Sequence, residues 1–148
     1  MKEIFAANLW LVFALLAAFS ASLVSIFGKI GLQTVDANTA TAVRAVIMAL
    51  FLLGVVFFQG SFKEIPAIIN DHKTFGFIIL SGVSGALSWL FYFLALKVGK
   101  VTQVAPVDKF SVVLAAILAV IFLSEKINLL NLIGLSLITV GVILVAVS

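Results

Sequence analysis

The sequence predicts an all-α integral membrane protein that crosses the bilayer five times. Composition is the first ground: of 148 residues, 64% are hydrophobic and only 10% charged, with a mean hydropathy of +1.36. An ordinary soluble domain is about 25% charged, so a chain this apolar calls for lipid as its solvent. Segmentation is the second ground. Charged or turn-rich breaks leave five apolar stretches of roughly 19–22 residues, each the length a helix needs to cross about 30 Å of hydrocarbon. The third is the lack of two-residue alternation, which removes a membrane β-barrel. The whole chain, residues 1–148, reads as a single transmembrane domain.

The elements follow in order. Span one runs from about Leu9 to Phe27 and closes at "GKIGLQ". Its apolar stretch is too long for the core of a cleaved signal peptide, and no small-x-small site follows it. Span two runs from about Ala37 to Phe58 and contains Arg44. The long break "QGSFKEIPAIINDHKTF" holds "IPAII" between charges and predicts a short helix lying at the membrane surface. Span three runs from about Phe75 to Leu96, span four from about Gln103 to Leu123 with Asp108 and Lys109 inside it, and span five from about Leu129 to Val147.

Charge narrows the function classes. The net charge of +3 is scattered rather than clustered, so no nucleic-acid surface is indicated, and with no cysteine there is no thiolate chemistry or disulfide. His72 stands alone in a loop, which offers no metal site. No nucleophile–base spacing or cofactor motif is present, so neither an enzyme nor a cofactor is expected. The loop lysines divide almost evenly: Lys2, Lys63, Lys73 and Lys126 on one side, Lys29, Lys97 and Lys100 on the other. Such balance is compatible with insertion in both orientations, or with one orientation that simple counting does not reveal.

Several polar groups lie at one depth. Arg44 is eight residues after Asp36, Asp108 eight after Lys100, Trp89 eight before Lys97 and Ser22 seven before Lys29. At 1.5 Å per residue they lie about 10–12 Å inside the same surface. Helical spacing puts Ser81, Ser84, Ser88 and Tyr92 on one stripe, with Gly85 and Trp89 beside it. It likewise groups Thr41, Arg44 and Met48; Asp108, Ser111 and Ala115; and Ser22, Ser25 and Lys29. An ionised side chain at mid-membrane costs about 2.5–3.5 kcal/mol on insertion scales. Asp108 and Lys109 project about 100° apart on a helix, so they are expected not to pair well. Arg44, at matched depth, is the expected partner of Asp108, while Lys109 either snorkels or faces a cavity. The Arg44–Asp108 pair reads either as a structural ion pair or as a substrate- or proton-handling site. Trp89 and Tyr92 read either as core or anchor aromatics or as cavity lining. Glu125 reads as a side chain whose hydrogen bond fixes the turn into span five.

The stretches "IFLSEKINLLNLIGLSLITVGVILV", "FGKIGLQ" and "TAVRAVIMAL" resemble the EamA-like repeat of the drug/metabolite transporter superfamily. Ser124 stands where that family usually has glycine, Glu125 is the matching acid, and the resemblance covers nearly the whole chain. Long members resemble ten-span chains of two oppositely oriented repeats, whereas this chain has one five-span repeat. Charges like Asp108–Lys109 are also not typical of their fourth helix. The related small multidrug resistance family pairs four-span chains antiparallel through a last helix similar to "GLSLITVGV", in which Gly134, Ser136 and Gly141 would permit close contact. In one chain the same residues would pack against neighbouring spans instead. Span one lacks the glutamate typical of that family, which argues against its cationic drug export.

The resemblance implies a transporter or exporter of a small metabolite in a bacterial inner membrane, acting by alternating access as an antiparallel homodimer. The charges Arg44 and Lys109 against Asp108 favour an anionic or zwitterionic substrate. Arg44, Asp108, Lys109, Trp89, Tyr92, Ser88 and Ser22 are the candidate substrate or proton residues. The alternative reading is a non-transporting membrane subunit or half of a heterodimer.

Overall fold

The computed structural model describes residues 9–148; Lys2, counted in the charge balance, lies outside them. Every regular element among the described residues is helical. Helix α1 (Leu9–Gly31) is followed by α2 (Ala37–Gln59), a 3₁₀ turn (Ser61–Glu64), α3 (Ile65–Asn70) and α4 (His72–Val98). Then come α5 (Val101–Asp108), α6 (Phe110–Leu123) and α7 (Leu129–Ala146). Among the described residues five helical segments are long and apolar enough to cross a membrane, with α5 and α6 together making the fourth.

The ends of these helices follow local chemistry. Asp36 starts α2 by accepting from the Thr39 N–H at 2.8 Å and the Thr39 hydroxyl at 3.0 Å. These two bonds, the backbone one first, hold the Asp36 carboxyl below its ordinary pKa. At the other end Gly60 takes a left-handed φ of 73°, and its N–H reaches the Phe57 carbonyl at 3.1 Å. The segment expected to be a short helix is one: α3 has Pro66 in its first turn, where a missing N–H costs nothing. Asp71 then starts α4, accepting from the Thr74 hydroxyl at 2.6 Å, and this bond above all lowers its carboxyl pKa.

Several boundaries move by a few residues: α4 begins at His72 and α5 at Val101, ahead of the expected starts at Phe75 and Gln103. Helix α1 continues to Gly31 and α4 extends to Val98, so Lys29 and Lys97 belong to final helical turns rather than to loops. Span four is not one unbroken helix: Pro106 lacks an N–H, and the chain tightens so that Lys109 N–H bonds the Pro106 carbonyl at 3.0 Å.

The chain forms two compact units, one of residues 28–97 and the other of the described residues up to 27 together with 98–148. In the first, Leu32, Ala37, Phe93 and Leu96 are buried; in the second, α7 packs along both α5 and α6 and buries Val142. Most other large apolar residues, among them Trp10, Phe58, Phe122 and Leu130, are exposed. In lipid this is the expected arrangement, because hydrocarbon tails solvate such side chains and each helix satisfies its own backbone.

Candidate functional site

In the 28–97 unit, half-buried Arg44 meets an aromatic cluster. Its guanidinium carbon lies 3.6 Å from the centre of the Trp89 ring and 4.7 Å from that of Phe93. Trp89 and Phe93 are one helical turn apart on α4, so both rings face the same way. Tyr92 closes the group edge-on to Trp89, with ring centres 5.7 Å apart. A guanidinium suits this position because it is flat, delocalised and weakly hydrated, so it stacks flat on an aromatic face, which a tetrahedral ammonium cannot do. The buried Nε of Arg44 has no hydrogen-bond partner among the described residues.

Glycine and lysine position this cluster. A β-carbon on Gly28 would sit 3.0 Å from the Phe93 Cζ, so the absence of a side chain there lets Phe93 close on α1. At the end of the same unit the two terminal lysines reach across. Lys29 Nζ donates to the Leu96 carbonyl, and Lys97 Nζ donates to the carbonyls of Leu32 and Val35. The last carbonyls of a helix lack internal donors and carry the negative end of its dipole, so Lys29 satisfies the end of α4; Lys97 instead ties down carbonyls of the connection that follows α1. In sequence both lysines read as loop charges, and Lys29 also as a member of the Ser22–Ser25 face. Gly28 and Phe93 are not among the sequence candidates; the glycine pair in "FGKIG" is the signal that marks the close approach.

In the second unit the structure corrects the expectation for Asp108 and Lys109. Lys109 Nζ and Asp108 Oδ2 are 3.1 Å apart and form an ion pair. The backbone directions do diverge, but the flexible four-carbon lysine stem folds back across them at the helix break. Each of the two charged groups, Arg44 and Asp108, therefore finds a partner inside its own unit: aromatic faces for Arg44, Lys109 for Asp108.

The remaining candidates separate. Ser81, Ser84 and Ser88 are exposed, so it is Trp89 and Phe93 rather than the serine stripe that face Arg44. Ser22 is also exposed and its hydroxyl donates to the Phe19 carbonyl of its own helix at 2.7 Å. Its neighbour Ser25 is the buried one. Glu125 does not fix the turn through its side chain; the backbone does, with Ser124 at φ 56° and the Glu125 N–H on the Ala119 carbonyl at 3.3 Å.

Comparison with known proteins adds the family. The sequence pattern of the EamA-like transporter family matches residues 8–147. The chain belongs to that family. A protein of Sinorhizobium sp. described as an uncharacterized transporter in the cobO 3′ region is 40% identical over 141 residues, 93% of this chain and 96% of that one. An uncharacterized protein of Methanocaldococcus jannaschii is 33% identical over 81 residues, 55% of this chain and 59% of its own length. No solved structure matches the chain. The chain is thus an integral, multi-pass membrane protein of transporter type, with a single EamA-like repeat, and the Sinorhizobium relative has matching length.

Two features singled out in the sequence show their local geometry here. The residue that closes the fourth span adopts a left-handed backbone, which glycine takes at no steric cost; Ser124 adopts it regardless. Gly134 and Gly141, seven residues and thus two turns apart on α7, have nothing within 4 Å of where a β-carbon would stand. Ser136 on the same helix is exposed, its hydroxyl turned back to the Leu132 carbonyl at 2.9 Å.

Proposed function

We propose that this protein is a secondary transporter of a small anionic or zwitterionic metabolite, working by alternating access as an inverted homodimer in a bacterial inner membrane. The observation that carries the reading is Arg44: a guanidinium within a membrane span, stacked on Trp89 and Phe93, with its Nε lacking a partner. An intramembrane cation held by ring faces keeps its in-plane donors for a ligand, and a carboxylate or phosphate accepts two of them at once. Support for pairing comes from the single repeat, from the near-even lysines in the loops and end turns on the two sides, and from the open face at Gly134 and Gly141. Substrate sites in folds built of inverted repeats lie at the repeat interface near the midplane. In an antiparallel pair the two Arg44 levels flank that plane, separated by roughly 6–10 Å in a core of about 30 Å.

Asp108 is the proposed proton carrier. While ionised it holds Lys109, and protonation releases the ammonium to the cavity. Trp89 and Tyr92 line the site. Ser22 and Ser88, exposed on the isolated chain, are proposed to line the cavity only in the assembled pair.

The test is uptake of labelled small carboxylates and amino acids into proteoliposomes under an imposed pH gradient. Wild-type protein moves a substrate of this class; Arg44→Lys sharply reduces flux, and Asp108→Asn removes its dependence on the gradient. Reporters fused to the C-terminus should signal from both faces of the membrane. Signal from one face alone refutes the inverted homodimer, and wild-type coupling in Asp108→Asn refutes the proton role.

A further inference from the structure

The connection between α6 and α7 borders a pocket of about 370 Å³ whose charged end the transport reading does not use; of its lining, Gly134 alone is shared with the proposed pairing face. Its polar end is formed by Glu125, Lys126 and Asn131, and its apolar wall by Leu130, Gly134 and Ile138. The charged pair lies in the short connection between two membrane spans, at the level where lipid headgroups begin, whereas Gly134 and Ile138 are one to two turns further along α7. Neither Glu125 nor Lys126 makes a side-chain hydrogen bond or ion pair with any described residue, although they are neighbours of opposite sign. One carboxylate and one ammonium, adjacent in sequence, thus line a pocket whose remaining wall is largely apolar.

From this we infer that the pocket is a binding site for a phospholipid with a phosphoethanolamine headgroup. The lipid ammonium donates to Glu125, its phosphate accepts from Lys126, and an acyl chain lies along the groove at Leu130 and Ile138. The volume falls within the about 300–1,000 Å³ of small-molecule sites. The acyl chain gains little by leaving bulk lipid, since both surroundings are apolar. Discrimination therefore rests on the headgroup, where matched charges of both signs select a zwitterion over an anionic lipid. A primary ammonium offers three hydrogen-bond donors to Glu125, and a trimethylated one offers none.

The test is native mass spectrometry of the full-length protein in mild detergent, titrated with phosphatidylethanolamine, phosphatidylcholine or phosphatidylglycerol of identical acyl chains. Monomer and dimer carry separate adduct series, so the readout does not depend on the oligomeric or transport reading. Phosphatidylethanolamine adducts should exceed those of each other lipid by at least about threefold, the scale of one exposed charged contact. Glu125→Gln should equalise the ethanolamine and choline lipids, and Lys126→Gln should weaken both. Both side chains are exposed and unbonded, so the variants keep the fold, and Lys63→Gln should keep the preference. Equal adducts of the three lipids on the wild type, a preference for the anionic lipid, or a preference that survives Glu125→Gln overturns the proposal. Full displacement by soluble phosphoethanolamine at matched concentration would overturn the lipid as its source.

Discussion

Replacing Trp89 by leucine removes the face on which Arg44 rests. At 3.6 Å from guanidinium carbon to ring centre the two groups are in direct contact, and Phe93 at 4.7 Å supplies a second, weaker face. A desolvated cation–π contact with tryptophan is worth about 2 kcal/mol, close to the about 2.5–3.5 kcal/mol that insertion scales assign to an arginine at mid-membrane. Trp89→Leu should therefore lower the unfolding free energy by about 2 kcal/mol from this contact, plus the change in packing. The packing part cancels in a double-mutant cycle with Arg44→Met. Reversible unfolding in mixed micelles, followed by helical circular dichroism across the denaturant titration, gives the four free energies. The expected coupling is about 2 kcal/mol for Trp89→Leu and about half that for Trp89→Phe, which keeps a smaller ring. A coupling below about 0.5 kcal/mol, the scatter of additive pairs, would refute the claim that the rings hold the guanidinium.

Three other outcomes follow from geometry already described. Gly28→Leu drives a side chain into Phe93 and should destabilise by about 1–3 kcal/mol in the same titration, while Gly31→Leu, with open space at its β-carbon, should cost much less. Ser124→Gly should raise stability by about 0.5–1 kcal/mol, because the left-handed backbone there strains any residue with a β-carbon. The Asp36 and Asp71 carboxyls have folded pKa values lowered by their threonine partners. Their stabilisation is thus complete above the ordinary carboxylate range and is lost as pH falls through the lowered values. Thermal unfolding of the Asp36→Asn, Asp71→Asn double variant should show a shallower decline between neutral and acid pH than the wild type.

Hydropathy alone determined the five spans and the short helix between the second and third. The reason is physical: a chain in lipid must satisfy its backbone within each segment, so a run of about 20 apolar residues has one available form. Arg44, Asp108 and Trp89 could likewise be marked by depth, because rise per residue is fixed in a helix. Partners were not legible in the same way. Sequence spacing places a side chain on a face, but a long lysine reaches beyond its face. Lys109 folds back onto Asp108, Lys29 crosses to the carbonyl end of α4, and Lys97 crosses to the connection that follows α1. Arg44 on α2 meets aromatic faces on α4, and Gly28 on α1 leaves room for Phe93; no periodicity encodes either approach. The sequence by itself thus determined which segments enter the membrane and which charges go with them. Only the tertiary structure decided what each charge touches, because contact depends on helix approach and side-chain reach, which are properties of packed helices rather than of any one segment.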